Sequence, residues 1–219
     1  MLDCIEIQPR APASAAVIWL HGLGADGNDF VPVVDELGLA HDHGVRFVFP
    51  HAPVRPVTLN GGMAMRAWYD IRAVDIAARE DDAGIRASQA DIEHLIAREI
   101  ERGIAAERIV LAGFSQGGAL ALHTGVRHAR RLAGILALSC YLPLRDTLGT
   151  ERAAANRDVP LFMAHGRQDP VVPCMLGEAS RDLLVAAGYT IAWHSYDMPH
   201  QVCLEEIQAI GAWLRDLLD

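Results

Sequence analysis

Gly113-Phe114-Ser115-Gln116-Gly117 sets a serine between two glycines in the pattern G-x-S-x-G. An apolar run, Ile109 to Ala112, precedes it, and a helical pattern, Gln116 to Arg127, follows at once. A strand that feeds a helix through so short a turn is a nucleophile elbow. The serine sits in strained dihedrals, its hydroxyl stands clear of the sheet, and its neighbours two residues away must lack side chains. Strain of about 1–3 kcal/mol persists where it has a use. The Gln116 N–H, at the start of the helix, would face an oxyanion formed by attack of Ser115 on a carbonyl.

A serine hydroxyl is a weak nucleophile and needs a base. Ten histidines are available. In a strand–helix chain with this elbow, the base follows the last strand and the acid lies between nucleophile and base. Ile191 to Tyr196 reads as the last strand, and His200 follows it in the loop Asp197-Met198-Pro199-His200. His194 lies within the strand itself, which suits packing. For the acid, Asp169 stands in His165-Gly166-Arg167-Gln168-Asp169-Pro170, after the run Leu161 to Ala164. There it would hold the His200 tautomer and stabilise the imidazolium. Asp197, the rival acid, is only three residues from His200 and reads as a cap or a solvent-facing group. His165 reads as a residue that shapes its turn. Cys140 follows a strand but has no glycine elbow, so it reads as a wall residue and not a second nucleophile.

Acyl transfer needs a second backbone donor aimed at the same oxygen. His21-Gly22-Leu23-Gly24-Ala25-Asp26-Gly27 supplies a glycine-flanked loop after an early strand, with the Leu23 N–H as the donor. The same residues spell G-x-G-x-x-G, the dinucleotide fingerprint. Three features weigh against that alternative. Asp26 and Asp29 would lie where a pyrophosphate must sit. The next strand, Val45 to Phe49, ends in Pro50-His51 with no carboxylate for a ribose. The loop also runs on through Asn28 before a helical pattern begins.

Several elements must position these groups. Ala16–Leu20, Val45–Phe49, Ile109–Ala112, Ile135–Leu138, Leu161–Ala164 and Ile191–Tyr196 are short apolar runs bounded by Gly, Pro or His. They suit parallel strands covered on both faces. Ile5–Ile7 would add an edge strand. Between them, Ile85, Ile92, Leu95, Ile96 and Ile100 share a helical face that stops at Gly103, with Asp81 and Asp82 at its positive end. Leu204, Ile207, Ile210, Leu214 and Leu217 form another stripe. Shorter helices fit 29–37, 116–127 and 175–187. The alternation predicts an α/β fold with a mostly parallel sheet in a single domain, residues 1–219. Residues 50–71, with Pro53, Pro56, Gly61 and Gly62, break the rhythm as a long, flap-like excursion.

Composition narrows the chemistry. The 219 residues carry 19 cations, all Arg, against 28 carboxylates, for a net charge of −9. Without lysine there is no Schiff base and no P-loop lysine. The charge argues against a nucleic acid or an anionic membrane surface as partner, and favours neutral or zwitterionic acyl substrates over polyanions. No apolar run reaches the roughly 18 residues of a membrane span, so no stable membrane insertion is expected. Residues 1–10 lack the pattern of a secretory signal, and the four cysteines are far apart, so cytoplasm is the expected compartment. His41-Asp42-His43 lacks a third metal ligand and reads as a solvated loop. Arg127, Arg130 and Arg131 fit a helix C-terminus. No metal and no cofactor are expected.

Six segments in order carry a resemblance that spans nearly the whole chain. They are H-G-L-G-A-D-G at 21–27, N-G-G-M-A-M-R-A-W-Y-D-I at 60–71, G-F-S-Q-G-G at 113–118, S-C-Y-L-P at 139–143, H-G-x-x-D-P-V-V-P at 165–173 and M-P-H-Q-V-C at 198–203. The chain resembles the small bacterial carboxylesterases related to acyl-protein thioesterases and lysophospholipases. The resemblance implies a minimal α/β-hydrolase fold of about seven strands without a cap domain, no cofactor, and frequent homodimers. It implies a serine hydrolase of short- to medium-chain acyl esters, with thioesters or lysophospholipids as alternative substrates. It also implies Ser115, Asp169 and His200 as catalytic residues and Leu23 and Gln116 as oxyanion donors, and suggests Trp68, Ile71 and Leu142 as acyl-channel residues. A catalytically silent binding protein on the same scaffold stays open as an alternative.

Overall fold

The computed structural model describes residues 2–39, 44–73 and 80–218. In chain order it contains β1 (Cys4–Ile7), β2 (Ala15–Leu20), α1 (Val33–Glu36), β3 (Val45–Pro50), β4 (Val54–Val57), β5 (Met63–Arg66) and α2 (Asp82–Glu101). Then come β6 (Ile109–Phe114), α3 (Gln116–Arg127), β7 (Gly134–Leu138), α4 (Leu148–Glu151), β8 (Leu161–Gly166), α5 (Cys174–Ala186), β9 (Ile191–Tyr196) and α6 (Leu204–Leu218). Seven strands form one sheet in the order β1-β3-β2-β6-β7-β8-β9. All neighbours are parallel except the antiparallel edge pair β1 and β3.

The continuous apolar runs are explained by burial on both faces. Ala16, Ile18 and Leu20 of β2 pack with Ile85, Ile92 and Leu95 of α2 and Leu120 and Leu122 of α3. The intervening Ala15, Val17 and Trp19 pack on the other face with Ile210 and Leu214 of α6. Successive side chains of a strand alternate faces, so each strand feeds two cores. The parallel arrangement brings the C-terminal ends of β2, β6, β8 and β9 to one edge of the sheet, where the chemistry-bearing loops begin.

Two expectations need correction. Residues 29–37 are not a continuous helix. Asp29, Val31 and Val33 donate N–H bonds to Asp26, Asn28 and Phe30, a chain of tight turns, and only Val33–Glu36 is helical. Pro32 has no N–H to continue a ladder, and it marks the start of that short helix. The 50–71 excursion is also more ordered than a loop. β4 and β5 form an antiparallel hairpin with Val54 opposite Arg66 and Val57 opposite Met63. Gly61 and Gly62 close it at φ 67° and 80°, where a Cβ would be strained. Pro56 disguises β4 in the sequence, yet a two-stranded ribbon has two edges and tolerates it. The excursion's far end is tied to α2, since the Asp81 carboxylate accepts the Asp70 N–H at 2.9 Å and pairs with Arg72. His41-Asp42-His43 lies outside the described residues. No helix among the described residues is long and apolar enough to cross a membrane.

One buried acid makes the fold sensitive to pH. Glu206, in the first turn of α6, is fully buried, and neither carboxyl oxygen has a hydrogen-bond partner of normal geometry. Burial pushes its pKa from an ordinary 4.5 up to about 8, and the nearby Cys203 N–H offsets this only in part. The folded state therefore keeps a proton that the unfolded chain releases. The associated stability is present in full below pH 4.5 and is lost as pH rises through 8. Glu206→Gln, which needs no proton to stay neutral, is expected to flatten that decline, with a gain on the order of a few kcal/mol at pH 9. Urea unfolding at pH 5, 7 and 9 measures it, and an equal decline in both proteins would assign the titration to another group.

Candidate active site

Ser115 sits at the junction of β6 and α3 with φ 55° and ψ −121°, a strained conformation for a residue with a side chain. The ladder holds it there, since its N–H donates to the Leu138 carbonyl at 2.8 Å. The flanking glycines are a steric necessity. A Cβ on Gly113 would lie 2.3 Å from the Gly117 carbonyl, and one on Gly117 would lie 2.3 Å from the Leu20 oxygen. Both obstacles are backbone and cannot swing aside. Gly117→Ala is accordingly expected to cost about 3 kcal/mol or more, the upper end of overpacking penalties, and to displace Ser115. Denaturant unfolding together with the rate of fluorophosphonate labelling would measure both effects, and a wild-type unfolding midpoint would contradict the steric assignment.

Ser115, His200 and Asp169 form one hydrogen-bonded line. Ser115 Oγ lies 2.9 Å from His200 Nε2, and His200 Nδ1 lies 2.6 Å from Asp169 Oδ2. The other Asp169 oxygen accepts the N–H groups of Val171 and Val172, both at 2.8 Å. The side chain of Asp169 is thus fully buried and pointed by its own turn. The loop carrying His200 crosses close over the end of β8. A Cβ on Gly166 would meet the Met198 and Pro199 carbonyls at 2.4 and 2.5 Å. The ring of Phe114 supports His200 with centroids 4.7 Å apart.

The neighbouring titratable groups fall into place around this line. His165 Nε2 lies 2.8 Å from the Val172 carbonyl and 3.4 Å from Asp169, bracing the Asp169 turn, and burial lowers its pKa. Asp197 is exposed and pairs with Arg167 at 2.8 Å. His194 stacks between Phe162 and Tyr196. Burial pushes the Cys140 thiol far above its ordinary value, so it holds no thiolate. Among the described residues, no group of three His, Cys, Asp or Glu side chains is placed to hold a metal ion.

Leu23 and Gln116 both border the cleft at Ser115. As the first residue of α3, Gln116 has no carbonyl one turn back for its N–H. Two clamps brace the segments that carry them, and neither is legible in the sequence. His21 Nδ1 lies 2.7 Å from the Gly22 carbonyl, and its Nε2 accepts the Ala52 N–H at 3.0 Å, which fixes one neutral tautomer. Burial lowers its pKa, in keeping with that role. The Gln116 side chain reaches the opposite way, accepting the Trp68 N–H and donating to the Tyr69 carbonyl, each at 2.8 Å. The glycine loop of 22–27 leads into tight turns rather than a helix N-terminus, and Gly27 packs on the Phe49 carbonyl. That arrangement lacks the cradle a pyrophosphate requires.

A groove of about 150 Å³ opens beside Ser115. Ile71 lines it, as the resemblance suggested, together with Leu59, Tyr69, Tyr141 and Val172. Trp68 and Leu142 do not. Trp68 is fully buried beneath the site, where its indole N–H donates to the His21 carbonyl at 2.9 Å. Leu142 faces a separate small cavity, and its N–H is bound to Ser180 Oγ at 2.8 Å.

A parallel sheet with a serine on its central strand–helix elbow, and with the imidazole and carboxylate on later strand-end loops, is the architecture of the α/β hydrolases. Within that class the chain belongs to the phospholipase/carboxylesterase family, whose profile matches residues 3–218. It is an enzyme of the serine carboxylic-ester hydrolase type. The acyl-protein thioesterase 1 of Neurospora crassa is 44% identical over 214 residues, covering 94% of this chain and 87% of that protein. That of Yarrowia lipolytica is 39% identical over 218 residues, covering 97% and 96%. Among solved structures, acyl-protein thioesterase 2 of Zea mays superposes with a TM-score of 0.88 at 29% identity over the full length of both chains. SOBER1 of Arabidopsis thaliana does so with 0.88 at 27%, covering 94% of this chain and 99% of that one.

Proposed function

We propose that the protein hydrolyses short- to medium-chain acyl esters through an acyl-enzyme, with Ser115 as nucleophile, His200 as base and Asp169 as the acid that orients it. The continuous bond line from Ser115 Oγ through His200 to Asp169, at 2.9 and 2.6 Å, carries the reading. With Nδ1–H donated to Asp169, His200 Nε2 accepts the Ser115 proton as Oγ attacks the acyl carbonyl. The N–H groups of Leu23 and Gln116 hold the resulting oxyanion, each contributing about 3 kcal/mol. The tetrahedral species collapses, the bond to the leaving oxygen breaks, and His200 returns its proton to that oxygen. Water then attacks the acyl-Ser115 ester and gives its proton to His200; the bond from the acyl carbon to Ser115 Oγ breaks, His200 returns the proton to Oγ, and the acid departs. Fluorophosphonate labelling followed by peptide mapping tests the assignment. Label is expected on Ser115 alone, and label elsewhere would overturn it.

A second reading on the same site is an acyl-protein thioesterase, favoured by the names of relatives about 40% identical. The bond line and oxyanion donors serve a thioester equally well, since the leaving thiol asks less of His200 than an alcohol does. Matched oxygen and sulfur esters of one acyl chain, together with a lysophospholipid, separate the readings by their kcat/KM ratios.

A further inference from the structure

We propose that the paired rings of Tyr69 and Tyr141 are the end wall of the acyl groove and restrict the site to acyl chains of about six carbons. The inference rests on the hydrolase reading above and adds a length limit and the residues that set it. The two phenol oxygens lie 3.0 Å apart, and the residues are 2% and 8% exposed. Both border the groove that starts at Ser115. Its volume is about 150 Å³. An apolar cavity of about that size holds one benzene, or six carbons.

Tyr141 is the partition. Its ring also borders a separate chamber of about 30 Å³, shared with Leu142, Leu176 and Leu183. Together with Tyr69 and Ile71 it borders a gap of about 10 Å³ next to Glu80. Tyr141 thus borders the groove and both of these smaller spaces.

The wall is anchored at both ends. The Tyr69 carbonyl accepts from Gln116 Nε2 at 2.8 Å, the preceding Trp68 N–H donates to Gln116 Oε1, and the following Asp70 N–H donates to Asp81. On the other side, the Leu142 N–H donates to Ser180 Oγ. Burial raises both phenols well above their ordinary pKa, which favours the neutral, hydrogen-bonded pair. A chain that outgrows the groove must displace a buried ring or bend back toward solvent.

The test is kcat/KM for p-nitrophenyl esters from C2 to C12. In the wild type, values are expected to climb about fourfold per methylene as each is buried, then stop rising near C6. In Tyr141→Ala the climb is expected to continue, raising the C10 to C4 ratio at least tenfold. Tyr141→Phe keeps the ring and is expected to keep the break at the same length. A wild-type climb through C12 would overturn the wall without any variant. So would an unchanged C10 to C4 ratio in Tyr141→Ala, or a break that moves as far in Tyr141→Phe. Should Tyr141→Ala not accumulate as folded protein, Tyr141→Leu is read the same way. Turnover of C4 with Ser115 labelled, but with the wrong length dependence, overturns the wall alone. No turnover and no label overturns the hydrolase reading, and the wall with it.

Discussion

Ser115→Ala is expected to lower kcat about a millionfold while the protein stays folded. The variant keeps the Cβ, so the backbone strain at φ 55° is unchanged and the glycine contacts around the elbow are untouched. Only the Oγ is lost, and with it the 2.9 Å bond to His200 Nε2. Cys140, on the next strand-end loop, is buried with its thiol held protonated. What survives is water attack assisted by the oxyanion donors and substrate binding, worth about a thousandfold to ten-thousandfold over the uncatalysed rate. Steady-state kinetics on a C4 ester, with urea unfolding as the control, measures it. A variant within a hundredfold of wild type, with an unchanged unfolding midpoint, would mean that another group attacks the carbonyl.

The sheet was legible because its strands are covered on both faces. Val17 and Ile18 are both fully buried, one against α6 and the other against α2 and α3, so β2 reads as an unbroken apolar run. The strand ends were less legible. β6 and β8 continue into Gly113-Phe114 and His165-Gly166, where the ladder persists although the apolar run has ended. That the serine, histidine and aspartate would meet was legible from chain order, since parallel strands deliver their C-terminal loops to one edge.

The groove was harder to read, and the two misses share one cause. Trp68 and Leu142 were expected in it, and the structure uses their immediate neighbours, Tyr69 and Tyr141. Each lies in a non-helical segment, where adjacent side chains point to different sides. Motif spacing brings such a segment to the site but leaves its facing undecided by one residue. Here the facing is set by distant partners: the His21 carbonyl draws the Trp68 indole inward, and Ser180 captures the Leu142 N–H. The clamps by His21 and the Gln116 side chain escaped for a related reason, because they join segments 31 and 47 residues apart in the chain. They tie the 22–27 loop, the elbow and the excursion into one support, the rigidity that the proposed oxyanion donors require.

Asp169→Asn is expected to lower kcat about ten-thousandfold, and the hydrogen bonds around it dictate why. One oxygen accepts two backbone N–H groups, from Val171 and Val172, and the other faces His200 Nδ1. An asparagine must keep its carbonyl oxygen on the two N–H donors, since an amide NH2 there would oppose both. Its NH2 is then forced toward His200, so Nδ1 must become an acceptor and the ring proton moves to Nε2. That nitrogen can no longer accept from Ser115, and the base is lost although every heavy atom stays in place. The loss therefore appears in kcat, with KM for a C4 ester and the unfolding midpoint close to wild type, and fluorophosphonate labelling of Ser115 slows in parallel. Asp169→Ala removes the amide as well and releases the turn, leaving two buried N–H groups without an acceptor at a cost of about 1–3 kcal/mol each. Asp169→Asn at wild-type kcat would show that the carboxylate does not set the tautomer, whereas Asp169→Ala unfolding at lower urea than Asp169→Asn separates its positioning of the turn from its effect on His200.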